Sequence, residues 1–106
     1  MKIEIRQIEH AEEKQIICRA ILEALPEWFG IPEAREEYIR ESADRLFFAA
    51  MDGEKPVGFL YLKETGRDTV ELYAMGVLKA QHRTGVGRAL VEAARRAARE
   101  AGYAFM

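Results

Sequence analysis

The chain has 106 residues, of which 49% are hydrophobic and 32% charged, and its formal net charge is −2, which is typical of one ordinary globular domain. This charge argues against nucleic-acid binding, no segment approaches the length of a membrane span, and the first residues do not resemble a signal peptide. The single cysteine, Cys18, excludes an internal disulfide and gives no metal-binding pattern, so we expect a cytoplasmic protein without a metal.

The first half of the chain predicts one strand and two helices. Residues 2–8 alternate isoleucine with charged side chains, which is the period of a half-exposed strand. Residues 10–25 carry apolar side chains at helical spacing, up to a proline that ends the helix. Residues 26–32 contain two prolines and a glycine and predict a loop, and the highly charged residues 33–43 predict a second, short helix.

The second half begins with three apolar runs that predict an antiparallel meander. Residues 45–52 and 56–64 are joined by a short turn that contains Gly53, a residue suited to the positive φ of a tight hairpin. Residues 67–78 form the third run. Gly76 within this run indicates either a bulge or a close approach of another segment to the backbone.

The sequence next predicts an alanine-rich helix over residues 84–101, and residues 103–106 predict the start of another strand. The element order is therefore β-α-α-β-β-β-α-β. A helix that crosses over between two strands usually returns the chain parallel to the first. These elements predict a single α+β domain with a mixed, mostly antiparallel sheet flanked by helices.

The segment QHRTGVGRAL, residues 81–90, has the chemistry of an anion site. It places Gly85 and Gly87 at the start of the predicted last helix, with Arg83 and Arg88 beside them. A helix start offers unpaired N–H groups, and glycines let an anion approach them closely. A dinucleotide fingerprint would need a third glycine where Leu90 stands, and no Gly-Lys-Ser/Thr follows. The alternative is a simple turn.

This segment resembles the acetyl-CoA loop of the GNAT-type N-acetyltransferases, with the pattern Arg/Gln-x-x-Gly-x-Gly/Ala. The aligned run is 82–87, with His82 where the family most often has Arg or Gln. The order of the elements and a fourth strand with a bulge also resemble the family. The resemblance implies an acetyl-CoA-dependent transfer of acetyl to an amine. It further implies pyrophosphate on the N–H groups of Arg83, Thr84, Gly85, Val86, Gly87 and Arg88, and pantetheine on the backbone of Met75, Gly76 and Val77.

The resemblance implies catalytic and acceptor residues as well. A general base must deprotonate the amine, and Glu71 is the candidate, expected to share a strand face with Tyr73 and Met75 by period two. Alternatively, Glu71 is a solvated carboxylate on the strand and has no catalytic role. Trp28 and Phe29 would border the acceptor amine or instead plug the small core. His82 either contacts phosphate or is simply exposed.

Members of this family normally continue beyond the position of Met106 with a helix and two further strands. We therefore expect either a fragment of a longer protein or a chain whose missing elements a partner supplies. A short last strand would leave an edge open to another chain, which predicts a homodimer through the C-terminal strand edge. The alternative function is a non-catalytic CoA-binding or assembly module with the same fold.

Overall fold

The computed structural model describes residues 3–25 and 31–105. Within these residues the chain forms the predicted order of elements, with one short 3-10 helix, Lys79–Gln81, added before the last α-helix. The strands are β1 (Ile3–Ile8), β2 (Leu46–Asp52), β3 (Lys55–Gly66), β4 (Thr69–Val77) and β5 (Ala104–Phe105), and the helices are α1 (Ala11–Glu23), α2 (Pro32–Ser42) and α3 (Val86–Glu100).

The five strands make one sheet in the order β1-β2-β3-β4-β5. The first four are antiparallel to their neighbours, and β5 runs parallel to β4, with Thr69 opposite Ala104 and Val70 opposite Phe105. Because α3 connects β4 to β5, the predicted parallel return after a helical crossover is confirmed. The predicted fold class, a mixed and mostly antiparallel sheet flanked by helices, is also confirmed.

Local chemistry explains the turns between these elements. Gly53 has a φ of 63°, which is the left-handed conformation that the predicted β2–β3 hairpin needs. Pro32, predicted as the end of a loop, is instead the first residue of α2, where a missing N–H costs nothing. The remainder of that predicted loop, residues 26–30, lies outside the described residues.

Helices α1 and α2 cover one face of the sheet with an aromatic core. Phe47, Phe59 and Tyr61 are fully buried and stack with ring centroids about 6 Å apart, at 5.6 Å for Phe47 and Phe59. The Tyr61 hydroxyl donates a 2.8 Å hydrogen bond to the carbonyl of Tyr38 in α2. This bond satisfies a buried hydroxyl and also fixes the position of α2 on the sheet.

A buried lysine and a buried cysteine lie on α1. Lys14 is 8% exposed, and its ammonium donates to the carbonyls of Arg45 at 2.7 Å and Ala43 at 3.3 Å, which ties α1 to the segment after α2. Cys18 is fully buried, and this burial raises the pKa of its thiol to about 12. The thiol is therefore protonated at neutral pH and unreactive.

Helix α3 packs on the opposite face. Leu90, Ala94 and Ala98 recur every four residues and are all fully buried. The structure contains no helix, among the residues it describes, that is long and apolar enough to cross a membrane. The described parts of the chain also hold no group of three or more His, Cys, Asp or Glu arranged to bind a metal ion.

Candidate functional site

Strand β4 carries a bulge in its middle. Tyr61 of β3 faces Ala74 and Leu62 faces Leu72, so Tyr73 is an extra residue on β4. The resemblance predicted a bulge in this strand, but it lies at Tyr73 and not at the glycine.

Gly76 marks a close approach instead. A Cβ built on Gly76 would lie 2.9 Å from the Ile21 Cγ2 atom in α1 and 3.0 Å from the Phe59 Cε1 atom in β3. Those distances are shorter than van der Waals contact. Of the two meanings that the sequence allowed for Gly76, the close approach is therefore the correct one, because α1 presses onto β4 at this residue.

The bulge changes which side chains share a face of β4. Glu71 is opposite Lys63, whereas Met75 is opposite Leu60. Positions 60 and 63 are an odd number of residues apart, so their side chains point to opposite faces of the sheet. The expectation that Glu71 shares a face with Met75 is therefore wrong. Glu71 lies on the α1/α2 face and Met75 on the α3 face, where its Cε atom is 3.9 Å from the Cβ position of Gly87.

The hydrogen-bond pattern of β4 decides which backbone groups face outward. The Leu78 N–H donates to the Val57 carbonyl at 2.9 Å, and the register pairs Phe59 with Gly76. In an antiparallel ladder such bonded pairs alternate with pairs whose backbone groups point away. The backbone groups of Gly76 therefore face β3. Of the three residues expected to pair with pantetheine, Met75 and Val77 direct their N–H and C=O groups to the outer edge.

A turn with two left-handed residues leads into α3. Arg83 has a φ of 66° and Gly85, the residue that precedes the helix, has a φ of 91°. The first intrahelical bond runs from the Ala89 N–H to the Gly85 carbonyl at 2.9 Å. The N–H groups before Ala89 have no acceptor within the helix, and they carry the positive end of its dipole. Thr84 differs, because its N–H donates to the Gln81 carbonyl at 3.3 Å.

The strand edge and the turn open onto one cleft of about 320 Å³. Its lining combines five of the predicted cofactor residues with three further ones: Met75, Gly76, Val77, Arg83 and Gly87, together with Leu25, Gln81 and His82. Of the other predicted cofactor residues, Val86 is buried, and Thr84, Gly85 and Arg88 are exposed on the turn and at the start of α3. The cleft therefore brings the strand residues of the first predicted set together with Arg83 and Gly87 of the second.

The remaining candidates lie elsewhere. Glu71 is half-buried on β4 and is not among the residues that line the cleft. Trp28 and Phe29 lie outside the described residues. Leu25 and Gln81 could not be singled out from the sequence, because an apolar helix end and a glutamine carry no recognisable motif.

His82 has a specific partner in the structure. Its Nε2 atom lies 2.7 Å from the carbonyl oxygen of Val77. The sequence signal for this residue was its departure from the family pattern, which most often has Arg or Gln at this position. The sequence left open whether His82 contacts phosphate or is simply exposed; the structure shows an exposed side chain that is bonded to the strand edge.

A second, smaller pocket of about 150 Å³ lies between α2 and β4 and is lined by Ala34, Glu37, Tyr38, Glu41 and Tyr73. The Tyr73 hydroxyl donates a 3.0 Å hydrogen bond to Glu41, and this bond raises the pKa of Tyr73. The Lys63 ammonium lies 4.8 Å from the centre of the Tyr73 ring. Two carboxylates and two tyrosines therefore line the pocket, and cations of the chain already contact them, Lys63 at Tyr73 and Arg45 at Glu41, at 3.5 Å.

A larger groove of about 570 Å³ lies between α1 and α2. Its walls carry both signs of charge, and an exposed ion pair joins Arg19 to Glu36 at 2.7 Å. The groove contains none of the predicted site residues. Its size alone does not make it the functional site, since an exposed groove of mixed charge has no convergent set of polar groups.

The fold is that of the GNAT acetyltransferases. The family model described as "Acetyltransferase (GNAT) family" matches residues 9–106, and the chain belongs to this family. No curated protein matches the sequence.

Solved structures share the fold at low sequence identity. An aminoglycoside acetyltransferase from an uncultured soil metagenomic sample is 21% identical, with a TM-score of 0.72 over 99% of this chain and 77% of that one. The paia N-acetyltransferase from Thermoplasma acidophilum, solved with coenzyme A, is 22% identical and has a TM-score of 0.72. The match covers 96% of this chain and 75% of that one. AAC(6')-Iy, solved with the bisubstrate analogue CoA-S-monomethyl-acetylneamine, is 24% identical and has a TM-score of 0.73. The match covers 100% of this chain and 78% of that one.

Proposed function

We propose that this chain is an acetyl-CoA-dependent N-acetyltransferase that transfers the acetyl group to a primary amine of a small molecule or a protein. The observation that carries the proposal is the cleft in which the start of α3 and the outer edge of β4 face the same space. Acetyl-CoA has a pyrophosphate and an extended amide-containing arm, and the two walls match these two parts. The neighbours solved with coenzyme A or a CoA-containing analogue agree with this ligand.

The turn before α3 suits the pyrophosphate. The N–H groups of Val86, Gly87 and Arg88 have no intrahelical acceptor, and Gly87 has no side chain to keep an anion away. Arg83 adds a cationic side chain on the lining of the cleft. Charge-assisted hydrogen bonds of this type are roughly twice as strong as neutral ones. Thr84 contributes less than its neighbours, because its N–H is already bonded to Gln81.

The outer edge of β4 suits the pantetheine arm and the reacting carbonyl. The amine nitrogen attacks the thioester carbon, the carbon–sulfur bond breaks, and the departing thiolate takes up a proton. Negative charge builds on the carbonyl oxygen during attack, and an outward N–H of Met75 or Val77 would stabilise it. The amine must first lose a proton. Glu71 is the proposed base and, because it does not line the cleft, it would act through water.

The acceptor amine would approach from the α2 side of β4. The acidic, aromatic pocket formed by Glu37, Tyr38, Glu41 and Tyr73 lies on the same face as Glu71. It would hold an ammonium group of the acceptor before deprotonation. Trp28 and Phe29 are proposed as further acceptor contacts.

An assay of thiol release tests the function. Acetyl-CoA is mixed with the chain and a panel of polyamines, aminoglycosides and lysine-containing peptides, and free CoA is followed with a thiol reagent. The chain itself adds little background, because Cys18 is fully buried. We expect amine-dependent release by at least one acceptor class. Binding of acetyl-CoA without release from any amine would instead support a non-catalytic CoA-binding module.

We also propose a homodimer, since the outer edge of β5 pairs with no strand among the described residues. Sedimentation over a wide concentration range tests this proposal, and a monomer at high micromolar concentration would contradict it. The cytoplasmic location stays a prediction.

A further inference from the structure

His82 joins the two walls of the cleft. It belongs to the turn, next to Arg83, and its ring reaches the carbonyl of Val77 on the outer edge of β4. The 2.7 Å distance is that of a short hydrogen bond. Because a carbonyl oxygen can only accept, the His82 Nε2 atom must carry the hydrogen in this bond.

The bond also changes what the strand edge offers to a ligand. Met75 and Val77 direct four backbone groups outward, and His82 already occupies one of them, the Val77 carbonyl. The Met75 N–H, the Met75 carbonyl and the Val77 N–H remain. An amide-containing arm on this edge would therefore pair mainly with Met75.

We propose that His82 is a positioning residue that fixes the distance between the anion-binding turn and the outer edge of β4. The inference rests on the proposed function, in which one ligand touches both walls. A ligand that bridges two elements binds more tightly when their spacing is set in advance, because less ordering is left to occur on binding. A ligand that touches one wall gains nothing from the spacing.

This difference gives the test. Calorimetry measures the binding of CoA, which spans both walls, of ADP, which carries only the pyrophosphate end, and of pantetheine, which carries only the arm. The proteins are the wild type, His82→Leu, which removes the donor at similar size, and His82→Gln, whose amide keeps an N–H donor at similar reach. A melting curve for each variant verifies folding.

We expect His82→Leu to weaken CoA binding by about tenfold, the equivalent of one hydrogen bond, while ADP and pantetheine change by less than about twofold. His82→Gln should restore most of the CoA affinity. Equal CoA binding by His82→Leu and the wild type would overturn the inference alone. A loss of all three ligands to the same extent would also overturn it, by showing a general collapse of the site. If the wild type binds no CoA, the proposed function fails and the inference with it.

Discussion

The two edges of β4 are used in opposite ways. Its β3 edge is paired along the strand, from Val77 opposite Gly58 to Thr69 opposite Gly66. Its other edge, over the residues that the structure describes, is paired with β5 at Thr69 and Val70 alone. The bulge at Tyr73 lies between the two ends of the strand. One strand therefore anchors the core with one edge, whereas on its other edge the part after Val70 pairs with no strand among the described residues.

The largest expected effect concerns Glu71, on the part of β4 that lies before the bulge. If Glu71 accepts the proton of the amine, Glu71→Gln removes the base while preserving the size of the side chain. We expect kcat to fall by about a hundredfold or more, the range typical of general-base removal, with CoA affinity unchanged. Steady-state kinetics with the best acceptor amine measure the first quantity, and calorimetry measures the second.

Glu54→Gln is the matched control, because Glu54 lies in the β2–β3 turn. A near-normal rate for Glu71→Gln would assign proton removal to water or to another residue. In that case the part of β4 before the bulge would have no catalytic role.

Gly76→Ala probes the paired edge. The new Cβ would lie 2.9 Å from Ile21 and 3.0 Å from Phe59, both held in the core, so the packing of α1 on β4 must shift. We expect a loss of about 1–3 kcal/mol in the free energy of unfolding, as for other overpacked cores. Urea denaturation measures it.

Gly66→Ala serves as the control for Gly76→Ala, since its Cβ would be in ordinary contact, at 3.8 Å, with Thr69. If both glycine variants are equally stable, α1 does not press onto β4 as the structure indicates.

Tyr61→Phe tests the same side of the sheet with a smaller change. The substitution removes the 2.8 Å bond that the buried Tyr61 hydroxyl donates to the Tyr38 carbonyl in α2. We expect about 1–2 kcal/mol of destabilisation and no change in CoA affinity. Tyr103→Phe is the control, because the Tyr103 hydroxyl bonds Glu64 at the exposed surface, and it should melt close to the wild type. A large loss of CoA binding in Tyr61→Phe would show that the two edges of β4 are not independent.

The smallest expected effect is the absence of a reaction at Cys18. Burial raises the pKa of this thiol to about 12, so an alkylating reagent at pH 8 finds neither thiolate nor access. Mass spectrometry should show no adduct on the folded chain and a complete adduct in denaturant. Rapid labelling of the folded chain would mean that the α1 face opens readily.

Much of the paired region was predictable because its signals are local. The alternation in β1, the Gly53 turn and the helical spacing of Leu90, Ala94 and Ala98 each depend on residues close in sequence. Gly85 and Gly87 likewise predicted where the last helix begins. Such features follow from backbone conformation and periodicity, which a sequence displays directly.

The open edge was harder to predict because its decisive features join distant parts of the chain. A bulge accepts most residue types, so Leu72 and Tyr73 gave no sign of one, and the face of Met75 was predicted wrongly as a result. The left-handed φ of Arg83 carries no sequence signal either. The bond from His82 to Val77 depends on how the turn folds back onto the strand.

The central claim, that CoA binds on the open edge and the start of α3, is tested most directly at Gly87. Among the described residues, a Cβ at Gly87 would have one contact within 4 Å, the Met75 Cε atom at 3.9 Å, so we expect Gly87→Val to fill the cleft and leave the core intact. Calorimetry with CoA should show affinity reduced by about a hundredfold or more, the equivalent of losing two charge-assisted hydrogen bonds, with an unchanged melting curve. Gly87→Ala, a residue that the family pattern allows, should bind nearly as well as the wild type. Unchanged CoA affinity in Gly87→Val would contradict the account.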